Sequence, residues 1–360
     1  MATNLKRRQL LKAALAGTVL PVLPTACASL ATKSSQAALI GCALQTQGHY
    51  QAVVADRYGK KIRALPIPAR GHGVAISNVN SHAVAFGRRP GTFMMVFDYL
   101  TGDVITLETA ESTRHFYGHG VYSHDGQWLY ATQGVRETSE GIIAVFDASN
   151  KYKKVAEFRG FGIGPHEVIL KNNGQLVVGV GGVHTNGRMP LNLDSMKPSL
   201  TYLDGTQGTV IEQVGLDDHH LSIRHLAHDD GDTVLCGQQY RGEPDDYPSL
   251  IAMHKPGQPM QSLQAEPEQW ARFNHYIASI AADEDWIVAT SPPGNCYGVW
   301  SKHTQQLVEL EALSDASGVV YDNGEFVISS GASRVINVTP PQQSIQSNVN
   351  VYWDNHWASI

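Results

Sequence analysis

A short segment recurs along the chain at intervals of 38 to 59 residues, and this repetition limits the fold more than any other feature. Gly71-His72-Gly73-Val74-Ala75-Ile76, Gly118-His119-Gly120-Val121-Tyr122-Ser123, Pro165-His166-Glu167-Val168-Ile169-Leu170 and Arg224-His225-Leu226-Ala227 each open on a short tight sequence and continue as an apolar strand. The turns that follow include His124-Asp125-Gly126, Asn172-Asn173-Gly174 and Asp229-Asp230-Gly231, which are hairpin signals. Weaker copies follow at Ala278-Ser279-Ile280-Ala281 and Ser317-Gly318-Val319-Val320, and a truncated one ends the sequence at Asn355-His356-Trp357-Ala358-Ser359-Ile360. The aligned positions are His72, His119, His166, His225, Ser279, Gly318 and His356, separated by 47, 47, 59, 54, 39 and 38 residues. That period is near the one of four-stranded propeller blades.

Seven copies predict an all-β, seven-bladed β-propeller. The truncated last copy supplies an innermost strand for a blade whose other strands come from about Leu39 to Ile67. Pairing the C-terminal strand with the N-terminal strands closes the ring and leaves no sheet edge exposed. An open β-sandwich explains neither the sevenfold repetition nor the cut-off copy.

In a propeller the first strand of each blade lines the central channel, so the aligned residues form a ring, and five of the seven are His. Neutral imidazoles suit zinc, copper, nickel or iron. His72, His119, His166, His225 and His356 are therefore candidate metal ligands, with iron, copper or zinc as the expected ion. A ring spread around a channel is wide, which limits how many ligands one ion can meet. The alternative is that the ring only hydrogen-bonds channel water and backbone carbonyls. Loops preceding the innermost strands and loops between second and third strands open on one face. They carry Arg88, Arg89, Arg114, His115, Tyr117, Arg136, His184, Arg224 and Arg241, a candidate ligand-binding mouth suited to an anion because guanidinium recognises carboxylate and phosphate. The insertion from Gly181 to Pro198 is a candidate lid over that mouth. His219, His220, His254 and His303 are expected in turns or outer strands, in contact with solvent.

Overall charge argues against nucleic acid, since 27 Lys plus Arg face 33 Asp plus Glu and leave a formal net charge of -6. The N-terminus reads as an address. Lys6-Arg7-Arg8-Gln9-Leu10-Leu11-Lys12 precedes an apolar stretch from Ala13 to Leu23, too short to span a bilayer as a stable helix, and no acid occurs before Asp56. Residues 1–27 are expected to be a twin-arginine signal for a periplasmic protein, with cleavage near the imperfect lipoprotein box Pro24-Thr25-Ala26-Cys27 and membrane attachment only through a lipid on Cys27. Residues 28–37 are then a linker and 38–360 one propeller, expected as a monomer. No Cys-x-x-Cys-His signature occurs, so no covalent haem is expected, and a Cys236 to Cys296 disulfide is open. No Gly-x-Ser-x-Gly, His-Glu-x-x-His or Ser-x-x-Lys motif marks an enzyme.

Arg70-Gly71-His72, Arg88-Arg89-Pro90-Gly91-Thr92, Arg114-His115-Phe116-Tyr117-Gly118-His119-Gly120, Gly164-Pro165-His166-Glu167-Val168, Leu191-Asn192-Leu193-Asp194, Leu221-Ser222-Ile223-Arg224-His225-Leu226 and Trp353-Asp354-Asn355-His356 also carry a resemblance. Over roughly residues 38–360 the chain resembles the bacterial domain-of-unknown-function family 1513. The resemblance implies twin-arginine export and a place beside imelysin-type periplasmic proteins and a dihaem oxidoreductase in iron-responsive gene clusters. It implies a role in iron or other metal handling, without catalytic residues to carry over. Gly73 departs from the family, which commonly has an acid there. Three functions are compatible with these features: a binding or accessory protein in metal acquisition, a metal-dependent oxidoreductase or hydrolase using the same histidines, and a scaffold for an imelysin-like partner.

Overall fold

The aligned segments form the innermost strands of seven four-stranded antiparallel sheets. They are Gly71–Ile76, Arg114–Tyr122, Pro165–Leu170, Leu221–His228, Ser279–Ala282, Ala316–Asp322 and Tyr352–Ser359, and each packs on the next around a closed ring. The fold is a seven-bladed β-propeller, seen in a computed structural model that describes residues 36–360 except Gln47, Arg188, Asp230 and Gln342. The expected signal segment, Cys27 and most of the 28–37 linker lie outside the described residues. Among the described residues no helix is long and apolar enough to cross a membrane.

The blades follow from hydrophobic pattern. Middle strands such as Phe93–Asp98 and Gly141–Asp147 are buried on both faces between neighbouring blades and read as unbroken apolar runs. Outermost strands such as Val104–Thr109 expose most of their residues. The acid that ends several third strands accepts backbone N–H groups of the next turn. Asp98 takes those of Leu100 and Thr101 at 2.8 Å each, and Asp204 takes those of Thr206 and Gln207. At Asp322-Asn323-Gly324, φ is 48° at Asn323 and 84° at Gly324, the left-handed pair that a type I′ hairpin needs.

The closing blade joins both ends of the propeller. Tyr352–Ser359 pairs antiparallel with Leu39–Thr46, matching Leu39 with Ser359 and Gly41 with Trp357, and His49–Ala55 and Lys61–Ile67 complete the sheet. Gly41 is required there, because a Cβ would stand 2.9 Å from that of Trp357. Cys42, Cys236 and Cys296 are buried free thiols, so the Cys236–Cys296 pairing does not form. His254 is also not a surface residue. It is 1% exposed, with Nδ1 2.7 Å from the Tyr202 hydroxyl and Nε2 2.8 Å from the Gln258 carbonyl.

Candidate functional site

The innermost strands are not regular where the histidines sit. Pairing with the second strand skips between Gly71 and Val74, Phe116 and Gly120, Pro165 and Val168, Ile223 and His225, and Ala316 and Val319. In the closing blade it skips between Trp353 and Trp357. His72, His119, His166 and His356 fall inside these interruptions and His225 at the edge of one. The strand Ser279–Ala282, which has Ser in place of His, pairs without a break. A bulge releases residues from the ladder and re-aims their side chains. Here it replaces a wide ring of imidazoles by a knot.

The five rings touch one another. Centroids of His72 lie 4.8 Å from His119, 5.5 Å from His166 and 4.5 Å from His356, while His225 lies 4.6 Å from His166 and 4.7 Å from His356. Two sets of three, His72 with His119 and His356, and His119 with His166 and His225, offer ring nitrogens within 4.8 Å of one another. Tetrahedral zinc brings nitrogens to roughly 3.4 Å apart, so an ion would draw either set together from spacings of up to 4.8 Å. His119 belongs to both.

Burial keeps the cluster neutral. It pushes His119 down to about 3, the like charges of His72 and His225 adding to it against Glu167, and it pushes His72, His166, His225 and His356 down as well. Neutral imidazole is the ligating form. Two carboxylates stand behind the rings. Glu167 Oε1 is 3.5 Å from His119 Nδ1 and its Oε2 is 3.4 Å from His225 Nδ1, while Oε2 also accepts the Leu226 backbone N–H. Asp354 Oδ1 is 3.8 Å from His72 Nδ1, and its other oxygen accepts from Arg70. Burial raises Asp354, but His72 and Arg70 outweigh it and hold the carboxyl well below the usual range. A carboxylate behind Nδ1 is how metal-binding imidazoles are oriented. Nε2 of His119, His225 and His356 and Nδ1 of His72, His166 and His225 are buried without a hydrogen-bond partner, so the carboxylates stand near Nδ1 of His72 and His225 without hydrogen-bonding to it. The residues present therefore fit a transition-metal ion.

The knot divides the channel. On one side His119, His356 and Glu167 line an opening of about 530 Å³. On the other, His72 and His166 floor a cavity of about 240 Å³ walled by Arg88, Arg89, Arg224 and Arg241, with Gln239 and Tyr276. No carboxylate is among the described residues lining the second cavity. Arg224 is 3% exposed, and burial together with the Arg89 and Arg241 charges pushes it down to about 9. Arg241 stands at the exposed rim with Nη2 3.0 Å from Gln239 Oε1.

Not every residue read from the sequence joins this cavity. Arg114 lies 4.0 Å from Glu157 of an outermost strand, outside the cavity. Tyr117 is buried beneath Arg89, 6.0 Å from guanidinium carbon to ring centroid, and beside His115. Burial and the charges of Arg136 and Arg89 push His115 down to about 4. His184 anchors the insertion instead, with its ring on the Ser139 hydroxyl and its backbone N–H on Asn192. That insertion carries the hairpin Thr185–Asn186 and Met189–Pro190 and reaches the mouth where Arg89 donates to Thr185. Gln239, Tyr276, Glu167 and Asp354 were not singled out as site residues from the sequence. Gly73 permits the knot, because a Cβ there would meet the Gly118 carbonyl oxygen at 2.6 Å and His119 Nδ1 at 2.9 Å.

The fold has distant likenesses among solved structures. Hydrazine synthase of Kuenenia stuttgartiensis is 13% identical, with 84% of this chain and 90% of that chain covered and a TM-score of 0.61. The WD40 repeats of RRP9 are 13% identical, with 82% and 92% covered and a TM-score of 0.54. At such identities the likeness is one of fold alone. Curated protein sequences give no match. The family model described as "Protein of unknown function (DUF1513)" matches residues 65–360, and the chain belongs to that family.

Proposed function

We propose that this protein binds a transition-metal ion in its channel and acts as a periplasmic binding or accessory protein in metal acquisition, with iron first among iron, copper and zinc. The observation that carries the proposal is the buried knot of five neutral imidazoles, two triads of which bring ring nitrogens within 4.8 Å. Carboxylates within 3.8 Å of His72, His119 and His225 and buried ring nitrogens without hydrogen-bond partners support it, because a purely structural ring would satisfy those nitrogens. Three protein ligands per triad leave a coordination position for a further group, which also suits metal-dependent oxidation or hydrolysis. The arginine-walled cavity above His72 and His166 is the observation that favours this second reading.

The test is the metal content of full-length protein purified without a His tag, beside the triple variant His72→Ala, His119→Ala, His166→Ala checked for folding by circular dichroism. Near-stoichiometric iron, copper or zinc that disappears in the folded variant supports the proposal. Protein that arrives without metal and takes up none of the three ions refutes it. Turnover that falls on single His substitution in folded protein would favour the enzyme.

A further inference from the structure

The second cavity is unusual for its charge. Arg88 and Arg89 come from the loop between the second and third strands of one blade, Arg224 from an innermost strand three blades further on, and Arg241 from the corresponding loop of that same blade. Like charges gathered in a partly buried site repel one another and lose hydration, so they need a compensating charge. No carboxylate among the described residues lines the cavity. Arg224 is buried and its Nε has no hydrogen-bond partner. The depressed basicity of Arg224 agrees with this: burial comes first, the Arg89 and Arg241 charges act in the same direction, and Tyr117 and Tyr276 act against them.

Size and donor geometry narrow the ligand. A cavity of about 240 Å³ is smaller than those that hold drug-sized molecules, which start near 300 Å³. Guanidinium groups bind carboxylate and phosphate oxygens through paired N–H donors, and Gln239 and Tyr276 add neutral polar groups. We infer that this cavity is a binding site for a small oxyanion carrying two or more negative charges, a polycarboxylate or a phosphate, seated on His72 and His166. Those two imidazoles also belong to the metal triads, so the anion's oxygens lie next to the ion that the cluster is proposed to hold. This second point rests on the metal reading and implies that the metal is held together with its anion. The anion site itself does not depend on it.

The experiment is calorimetric titration of the full chain, stripped of metal with a chelator, with citrate in one arm and inorganic phosphate in the other, and sodium chloride as the control. Saturable binding of citrate alone identifies a polycarboxylate, binding of phosphate alone identifies the inorganic anion, and binding of both supports the shared chemistry. Arg224→Gln is expected to weaken binding at least tenfold, as is Arg241→Gln at the rim, where folding is not at risk. Arg114→Gln, paired outside the cavity, leaves the affinity unchanged. Absence of binding in both arms overturns the inference, as does unchanged affinity in folded Arg224→Gln and Arg241→Gln. Anion binding by a protein that takes up no metal sinks the metal proposal alone, and metal uptake without anion binding sinks this one alone.

Discussion

Replacing His119 by Gln removes one titrating group from the knot and leaves a neutral side chain that still offers polar atoms. In the folded protein burial holds His119 at about 3, against an ordinary value of 6.5 in the unfolded chain. A base whose folded pKa is depressed contributes stability that is fully present above pH 6.5 and is lost as pH falls toward 3, since only the unfolded chain takes up the proton. At pH 5 the solution is about 1.5 pH units below the unfolded value, and each unit is worth about 1.4 kcal/mol, so His119 alone costs about 2 kcal/mol between pH 7 and pH 5. Urea unfolding of chelator-treated protein at pH 7, 6 and 5 measures this directly. The wild type should lose about 2 kcal/mol more than His119→Gln across that interval, whatever the offset between them at pH 7. The variant keeps a slope of its own, because His72, His166, His225 and His356 are depressed in the same direction. Parallel stability curves would mean that the folded cluster accepts a proton at ordinary pH, and the neutral knot would then be wrong.

Three further outcomes follow from packing. Lys302 donates to Asp229 at 2.7 Å and to the Asp283 carbonyl at 2.9 Å, bridging two blades, and both partners of the ion pair are 12% exposed. Lys302→Met should cost about 3 kcal/mol in urea unfolding, and adding Asp229→Asn should restore part of it, because the cost is mostly a stranded carboxylate. Gly73→Ala should lose about 1–3 kcal/mol and bind metal less tightly in titration, since the methyl group displaces either the Gly118 carbonyl or the His119 ring; unchanged metal affinity would contradict that placement. Cys236 and Cys296 are buried, with thiols pushed up to about 12 and about 11, so neither should react with a thiol reagent at pH 8 until the chain unfolds. Rapid native labelling of either would show that its blade opens.

The fold was legible because its signals are local and repeated. A His before five of the seven apolar runs, an Asp-Gly or Asn-Gly turn after four of the runs and a cut-off last copy are all present in the linear chain. The site was legible in its members but not in its shape. Period-two alternation spaces the aligned imidazoles around a channel, whereas the bulges at Gly71–Val74 and Pro165–Val168 turn them inward; the first contains Gly73, but nothing in the one-dimensional pattern marks the second, which is made by His166 and Glu167. The carboxylates were missed for a related reason. Glu167 follows His166 but serves His119 and His225, which lie on the neighbouring blades to either side. Arg114 begins an innermost strand, yet its guanidinium stands 4.0 Å from Glu157 of an outermost strand and does not line the second cavity, a placement that no local pattern marks.

Closure of the ring through Tyr352–Ser359 has a bearing on how such a protein matures. The strand that completes the closing blade by pairing with Leu39–Thr46 is also the strand that contributes His356 and Asp354. During synthesis from the N-terminus, the other four imidazoles are made well before it, and the cluster lacks its fifth member until the circle shuts. Assembly of the fold and completion of the centre are thus a single event, so a chain interrupted before this strand has neither a sealed toroid nor a finished centre.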